Sequence, residues 1–209
     1  SPVTAYGVYM GIKACSKNVF GSDNLNNKKI VVQGVGSVGM QLCELLHKEG
    51  AKLFVSDIDE ERKMKAAQRY KSEVVDNADI FELDADIYSP CALGASLNDD
   101  TIARLKCPIV AGAANNQLKD EERHGNMLME RGIVYAPDFL INAGGLINVY
   151  HEFLGNYNRP RVMEQAEKIY ETCLNIFGIA DREKISTQEA AIQAAEKRIA
   201  QIGLLQLRR

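Results

Sequence analysis

Along the middle of the chain, short β-branched runs alternate with longer stretches whose apolar residues recur at helical spacing. Lys29-Ile30-Val31-Val32-Gln33 is a compact strand candidate, and Val38, Leu42, Leu45 and Leu46 share one face of a helix from Ser37 to Glu49. Gly50 stops that helix, and Lys52–Ser56 reads as the next strand. Glu60–Tyr70 reads as a charged helix, Val74-Val75 as a short extended piece and Asp86–Ser89 as another strand. Leu97–Leu105 and Lys119–Arg131 read as helices, Pro108–Ala111 and Ile133–Ala136 as extended. This alternation predicts an α/β fold, a doubly wound parallel sheet with helices on both faces. The flanks lack strands. A helix over Thr4–Lys17 precedes the sheet, and Val162–Phe177 and Thr187–Leu207 follow as helices, parted by Gly178 and the turn around Asp181. The expected organisation is an N-terminal helix (1–20), a sheet domain (21–155) and a C-terminal helical segment packing back on it (156–209).

Composition narrows the class. At 46% hydrophobic and 25% charged, the 209 residues suit a globular protein with a sizeable core. Twenty-five Lys and Arg against 28 Asp and Glu leave a net charge of −3, too even to point to nucleic acid. No apolar stretch approaches the roughly 20 residues that span a bilayer. There is no signal-peptide pattern and no initiator Met, so a piece of something longer is expected. Cys15, Cys43, Cys91, Cys107 and Cys173 form no C-x-x-C, which predicts reduced thiols in the cytoplasm and no metal site.

The chemistry concentrates after the first strand. Gly34-Val35-Gly36-Ser37-Val38-Gly39 follows that strand directly and opens a helix, the context in which G-x-G-x-x-G binds a dinucleotide. The glycines allow a tight turn, close approach of a pyrophosphate and close helix–strand packing, and the helix N-terminus receives the phosphates. Asp57 ends the second strand, where a carboxylate can take both adenosine ribose hydroxyls. With Ile58, Asp59, Glu60 and Glu61 next, no cation precedes Arg62 to neutralise an extra phosphate, so NAD is expected over NADP. The competing reading is a plain βα turn with Asp57 capping the helix that starts near Glu60.

Three later strands end in Gly-, Asn- and Ser-rich segments, Ser89–Gly94, Ala111–Gln117 and Asn142–Gly145. Each alone could be a capped βα turn. Sharing one rim with a phosphate loop, they suggest a path for a flat cofactor ring, with Asn amides suited to a carboxamide. Cys91 has no His base paired with it in sequence and reads as a small buried hydrophobe rather than a nucleophile. His47, His124 and His151 lack metal-ligand spacing and read as structural or surface residues.

Several strings closely resemble the glutamate, leucine, phenylalanine and valine dehydrogenase family. They are Ser1–Tyr9, Val32–Gly36, Pro90–Gly94, Asn116–Leu118, Gly132–Asp138 and Ile141–Gly145. The resemblance implies a Rossmann domain in a cytoplasmic, homo-oligomeric enzyme that deaminates a branched-chain, leucine-like L-amino acid with NAD. By position it implies that Gly34, Val35, Gly36, Ser37, Val38, Gly39 and Met40 wrap the pyrophosphate and that Asp57 holds the adenosine ribose. Cys91 and Ala92 would line the adenine and ribose path, and Thr4, Asn116 and Asn142 would surround the nicotinamide.

There are departures. The family commonly has Ala at Gly39, read as a harmless change, and many members have Asp at Asn115. The family's substrate domain, with its Gly-rich loop, catalytic Lys, carboxylate-binding Lys and Asp proton carrier, has no counterpart here, since no Gly-Gly-x-Lys segment occurs. The chain is therefore expected to carry no catalytic residue, and to bind NAD without turning over an amino acid by itself. The alternatives are a freestanding NAD-sensing module, or an enzyme of this class acting on phenylalanine, valine or glutamate. Leu146, Ile147 and Val149 suit either an aliphatic substrate side chain or the buried face of an ordinary helix.

Overall fold

The structure, a computed structural model, describes residues 2–155 and 157–206, with side chains described through Gln201. It opens with helix α1 (Pro2–Phe20), then β1 (Lys29–Gln33), α2 (Ser37–Lys48), β2 (Lys52–Ser56), α3 (Glu60–Tyr70) and β3 (Glu73–Val74). The second half of the sheet is β4 (Ile87–Pro90), α4 (Asp99–Arg104), β5 (Ile109–Val110), α5 (Glu121–Glu130) and β6 (Val134–Tyr135). Five helices follow: α6 (Asp138–Ile141), α7 (Gly144–Phe153), α8 (Arg159–Glu167), α9 (Ile169–Glu183) and α10 (Thr187–Gln206).

All pairings are parallel and the strand order is β3-β2-β1-β4-β5-β6. The order reverses at β1, so the crevice at the carboxyl ends of β1 and β4 is the switch point of a Rossmann-type sheet. Strand β1 shows why both faces are covered. Ile30 and Val32 enter one core with α1, α2 and α9, while Val31 enters the other with Tyr88, Ile102 of α4 and Leu128 of α5. A strand buried on both sides reads as a continuous apolar run, and Ile-Val-Val is one. Local capping fixes the helix starts: Asp59, Asn98 and Asp120 cap α3, α4 and α5.

Two expectations about the C-terminal half are corrected. Gly178 does not break a helix; it lies inside α9, whose face of Cys173, Ile176, Phe177 and Ala180 stays buried across it. Continued burial outweighs the roughly 1 kcal/mol that Gly costs in a helix. The chain turns instead at Lys184, which is left-handed with φ 59°. The predicted helix over Val162–Phe177 is two helices, with Lys168 between α8 and α9. Helix α10 runs through Gln206; its predicted end at Leu207 lies outside the described residues.

Candidate functional site

Gly34 leaves β1 with φ 94°, and its N–H donates to the Ser56 carbonyl at 2.7 Å. A Cβ at Gly34 would stand 2.7 Å from Ala92 Cβ, so the turn needs glycine for backbone angle and for space. Gly36 is the N-cap of α2 and gives it no side-chain cap, and nothing lies within 4 Å of the place a Cβ would occupy. The first N–H groups of this 12-residue helix thus have no side-chain cap, and the space beside Gly36 is open. Gly39 packs directly on the Gly34 carbonyl oxygen, and a Cβ there would collide with it. The reverse exchange, alanine at 39 in this chain, would force the loop to move.

Asp57 follows β2 at the same level as the glycine turn, since Ser56 is in register with Gln33. Its carboxylate is buried. Oδ2 accepts the Val35 N–H at 2.7 Å and Oδ1 accepts the Asp59 N–H at 2.9 Å. The cap of α3 is Asp59, which accepts from the Arg62 N–H, so the reading of Asp57 as a helix cap is overturned. Asp57 ties the glycine turn to the end of β2, with lone pairs left on both oxygens. Ile58 beside it is 91% exposed, an apolar shelf whose sequence signal is only that it is not basic.

From this turn a line of contacts runs along the carboxyl edge. The Cys91 N–H donates to the Gln33 carbonyl at 2.7 Å, and Ala92 lies against Gly34. Burial pushes the Cys91 thiol above its ordinary range, which leaves it protonated and unsuited to attack. Gly94 abuts the Asn115 and Asn116 carbonyls, and the Ala95 N–H donates to the latter at 2.7 Å. Asn116 is exposed and left-handed, φ 51°. Asn142 donates through Nδ2 to Asn115 Oδ1 at 2.7 Å, so asparagine at 115 supplies the acceptor there. Past Asn142, a Cβ at Gly145 would stand 3.0 Å from Thr4 Oγ1. Asp57, the glycine turn, Ala92, Asn116, Asn142 and Thr4 thus lie along one continuous rim.

Two residues that hold the rim were missed from sequence. Gln117 is fully buried, and its Nε2 donates to the Gly112 and Ala114 carbonyls at 2.8 and 2.9 Å. Its own N–H donates to Asp138 Oδ2 at 3.0 Å, and Asp138 Oδ1 takes the Phe139 N–H at 2.6 Å. This locks the start of α6 to the 112–117 loop across 21 residues, a pairing without a local signal. Ile147 faces the core, whereas Leu146 and Val149 are 75% and 58% exposed, so the three do not share one role. His124 accepts the Asp120 N–H on Nδ1 at 2.9 Å, and His151 pairs with Gln165 at 2.9 Å, both structural roles.

A parallel sheet of this order, with a glycine turn, an acidic strand end and small-residue loops on one edge, defines an α/β domain of Rossmann type. The chain belongs to the Glutamate/Leucine/Phenylalanine/Valine dehydrogenase family, which it matches over residues 1–59 and 55–206. It is 57% identical to leucine dehydrogenase of Thermoactinomyces intermedius over 199 residues, covering 95% of this chain and 54% of that protein. The crystal structure of L-tryptophan dehydrogenase from Nostoc punctiforme superposes with a TM-score of 0.93 at 46% identity, over 96% of this chain and 60% of that one. Hetero-hexameric glutamate dehydrogenase from Thermus thermophilus shares the fold at 21% identity, TM-score 0.75, over 94% of this chain and 51% of that one. The chain spans about half the length of the curated relatives it matches. Among the described residues, no helix is long and apolar enough to cross a membrane.

Proposed function

We propose that this chain is the cofactor-binding part of an NAD-dependent L-amino-acid dehydrogenase that deaminates leucine or a similar branched-chain amino acid. The observation that carries the proposal is the unbroken rim from Asp57 to Thr4. A dinucleotide is an elongated ligand that needs such a line of sites, and the open N-terminus of α2 suits its pyrophosphate. The first-turn N–H groups of Ser37, Val38 and Gly39 would take the phosphates, with Val35 and Met40 on either side. Asp57 would accept both adenosine ribose hydroxyls on its remaining lone pairs and repel a 2′-phosphate, which favours NAD over NADP. Cys91 and Ala92 would line the path between. Bound there, NAD would supply the hydride acceptor. Asn142, whose Oδ1 is left after its bond to Asn115, would accept from the carboxamide, with Asn116 and Thr4 flanking the ring.

Deamination also needs a base and a cationic group to polarise the developing carbonyl, placed against the ring by a substrate clamp. We assign these to the remainder of the whole protein, a homo-oligomer of the cytoplasm, where five free cysteines would stay reduced. Leu146 and Val149, exposed one to two turns beyond Asn142, would border an aliphatic substrate side chain. In the intact protein, Leu146→Gly is expected to change the preference among leucine, valine and phenylalanine; an unchanged preference removes that role. For the proposal as a whole, calorimetry of this chain should find NAD bound more tightly than NADP, with no leucine-dependent NADH production. Equal affinity for the two cofactors, or sustained turnover by this chain above contaminant level, refutes it.

A further inference from the structure

Helix α7 carries a broad exposed apolar side, with Asn148, His151 and Glu152 on the other. Gly144, Ile147 and His151 turn inward, while Leu146, Val149, Tyr150, Phe153 and the C-cap Leu154 stand outward at exposures of 75%, 58%, 57%, 87% and 52%. At 100° per residue these five fill one arc of about 140°, centred on Leu146 and Phe153. On the other side of the helix, Tyr157, 47% exposed, donates its hydroxyl to Asn148 at 2.9 Å, and Asn148 in turn donates to Glu152 at 2.7 Å. A contiguous exposed apolar patch of this kind marks an interaction surface.

The patch divides by distance. At about 1.5 Å of rise per residue, Leu146 lies roughly 6 Å along the axis from Asn142, and Phe153 roughly 16 Å. A substrate reacting beside Asn142 can reach the first of these and not the second. The outer end, Tyr150, Phe153 and Leu154, therefore needs another occupant. We infer that this outer end is a fixed seam against the other half of the same protein, an apolar surface that stays covered whether or not ligands are bound. The inference rests on the reading above that the whole protein carries a second half. Two observations select that occupant over a second copy of this chain. The relatives are nearly twice as long as this chain, and the seam continues the arc of Leu146 and Val149, the side of the site that a substrate-binding half would close.

The test places a single reporter. The chain has no Trp, so Phe153→Trp in the intact protein adds one emission component, read by difference against wild type. The expected result is a blue-shifted, acrylamide-protected component, unchanged by NAD and leucine, and a red-shifted, quenchable one in this chain alone. Phe153→Asp should lower the melting temperature of the intact protein by several degrees, leave that of this chain unchanged, and leave NAD affinity within twofold. Three results overturn the inference. The first is an added tryptophan signal as exposed in the intact protein as in this chain. The second is protection that appears only with ligand, which would make the seam part of the moving cleft. The third is Phe153→Asp splitting an oligomer in sedimentation, which would make a second copy the occupant. Loss of NAD binding in wild-type protein would instead refute the cofactor reading and leave these outcomes unaffected.

Discussion

Asp57 ties the glycine turn to β2 and, in the proposed cofactor site, would also hold the adenosine ribose; asparagine in its place tests both roles by two separate readouts. The side chain is 9% exposed and accepts two backbone N–H groups, from Val35 at 2.7 Å and Asp59 at 2.9 Å. Asparagine keeps the shape but has one acceptor oxygen. With that oxygen toward the buried Val35 N–H, its NH2 group faces the Asp59 N–H, donor against donor. One hydrogen bond to a charged acceptor is lost and the other becomes neutral, a cost of about 1.5–3 kcal/mol. For a domain of this size that lowers the melting temperature by roughly 3–12 °C. If the carboxylate holds the ribose as proposed, the same change should weaken those two bonds by a similar amount, which is about 10- to 150-fold in NAD affinity. Urea unfolding gives the first quantity. Calorimetry at about 20 °C, with the fraction folded verified, gives the second. Unchanged NAD affinity would show that the carboxylate does not hold the ribose. Unchanged stability would show that the link from the glycine turn to β2 contributes nothing and that Asp57 does not preform the rim.

Other perturbations test the rim and the core. Gly112→Ala drives a Cβ into the Pro90 carbonyl oxygen and should cost about 3 kcal/mol or more, measured by urea unfolding; wild-type stability would mean that the 90–94 and 112–117 loops are not in contact. Cys91→Ala should leave turnover of the intact enzyme within a few-fold, since burial keeps the thiol protonated, and a loss above about 100-fold would make it a nucleophile. Burial raises Cys107 from 9.0 to about 11, so between those values the unfolded chain has released a proton that the folded chain keeps. This thiol should therefore contribute nothing to the pH dependence of stability below about pH 9 and about 3 kcal/mol of the fall as pH rises toward 11, beside the falls from Cys15, Cys43, Cys91 and Cys173, which burial raises too. Cys107→Ala should flatten that part of the unfolding-against-pH curve, and an unchanged slope would refute the assignment.

How much of this could be read from sequence depends on how local each signal is. The β1–α2–β2–α3 unit was legible almost to the residue because three independent local signals coincide there. They are an unbroken Ile-Val-Val run, a helical period after the glycine turn, and a charged, helix-favouring stretch from Glu60, although its cap is Asp59 and not Asp57 as the sequence suggested. Asn142, Thr4 and Asp57 were legible as candidates through chemistry and resemblance. What holds them was not. Gln117 and Asp138 meet only after the sheet brings two loops together, and nothing near either residue announces the partner 21 positions away. Helix α6 was missed, and a helix at α7 arose only as one of two readings of Leu146, Ile147 and Val149, because Asn142–Gly145 has the composition of a loop. The apolar residues of α7 occupy one continuous side, of which Ile147 packs on the core while Leu146, Val149 and Phe153 stay exposed. A helical period can reveal such a side, but how much of it the rest of the chain covers is set by neighbours in space. At α7 that cover stops short, and there the surface of this chain is least self-sufficient.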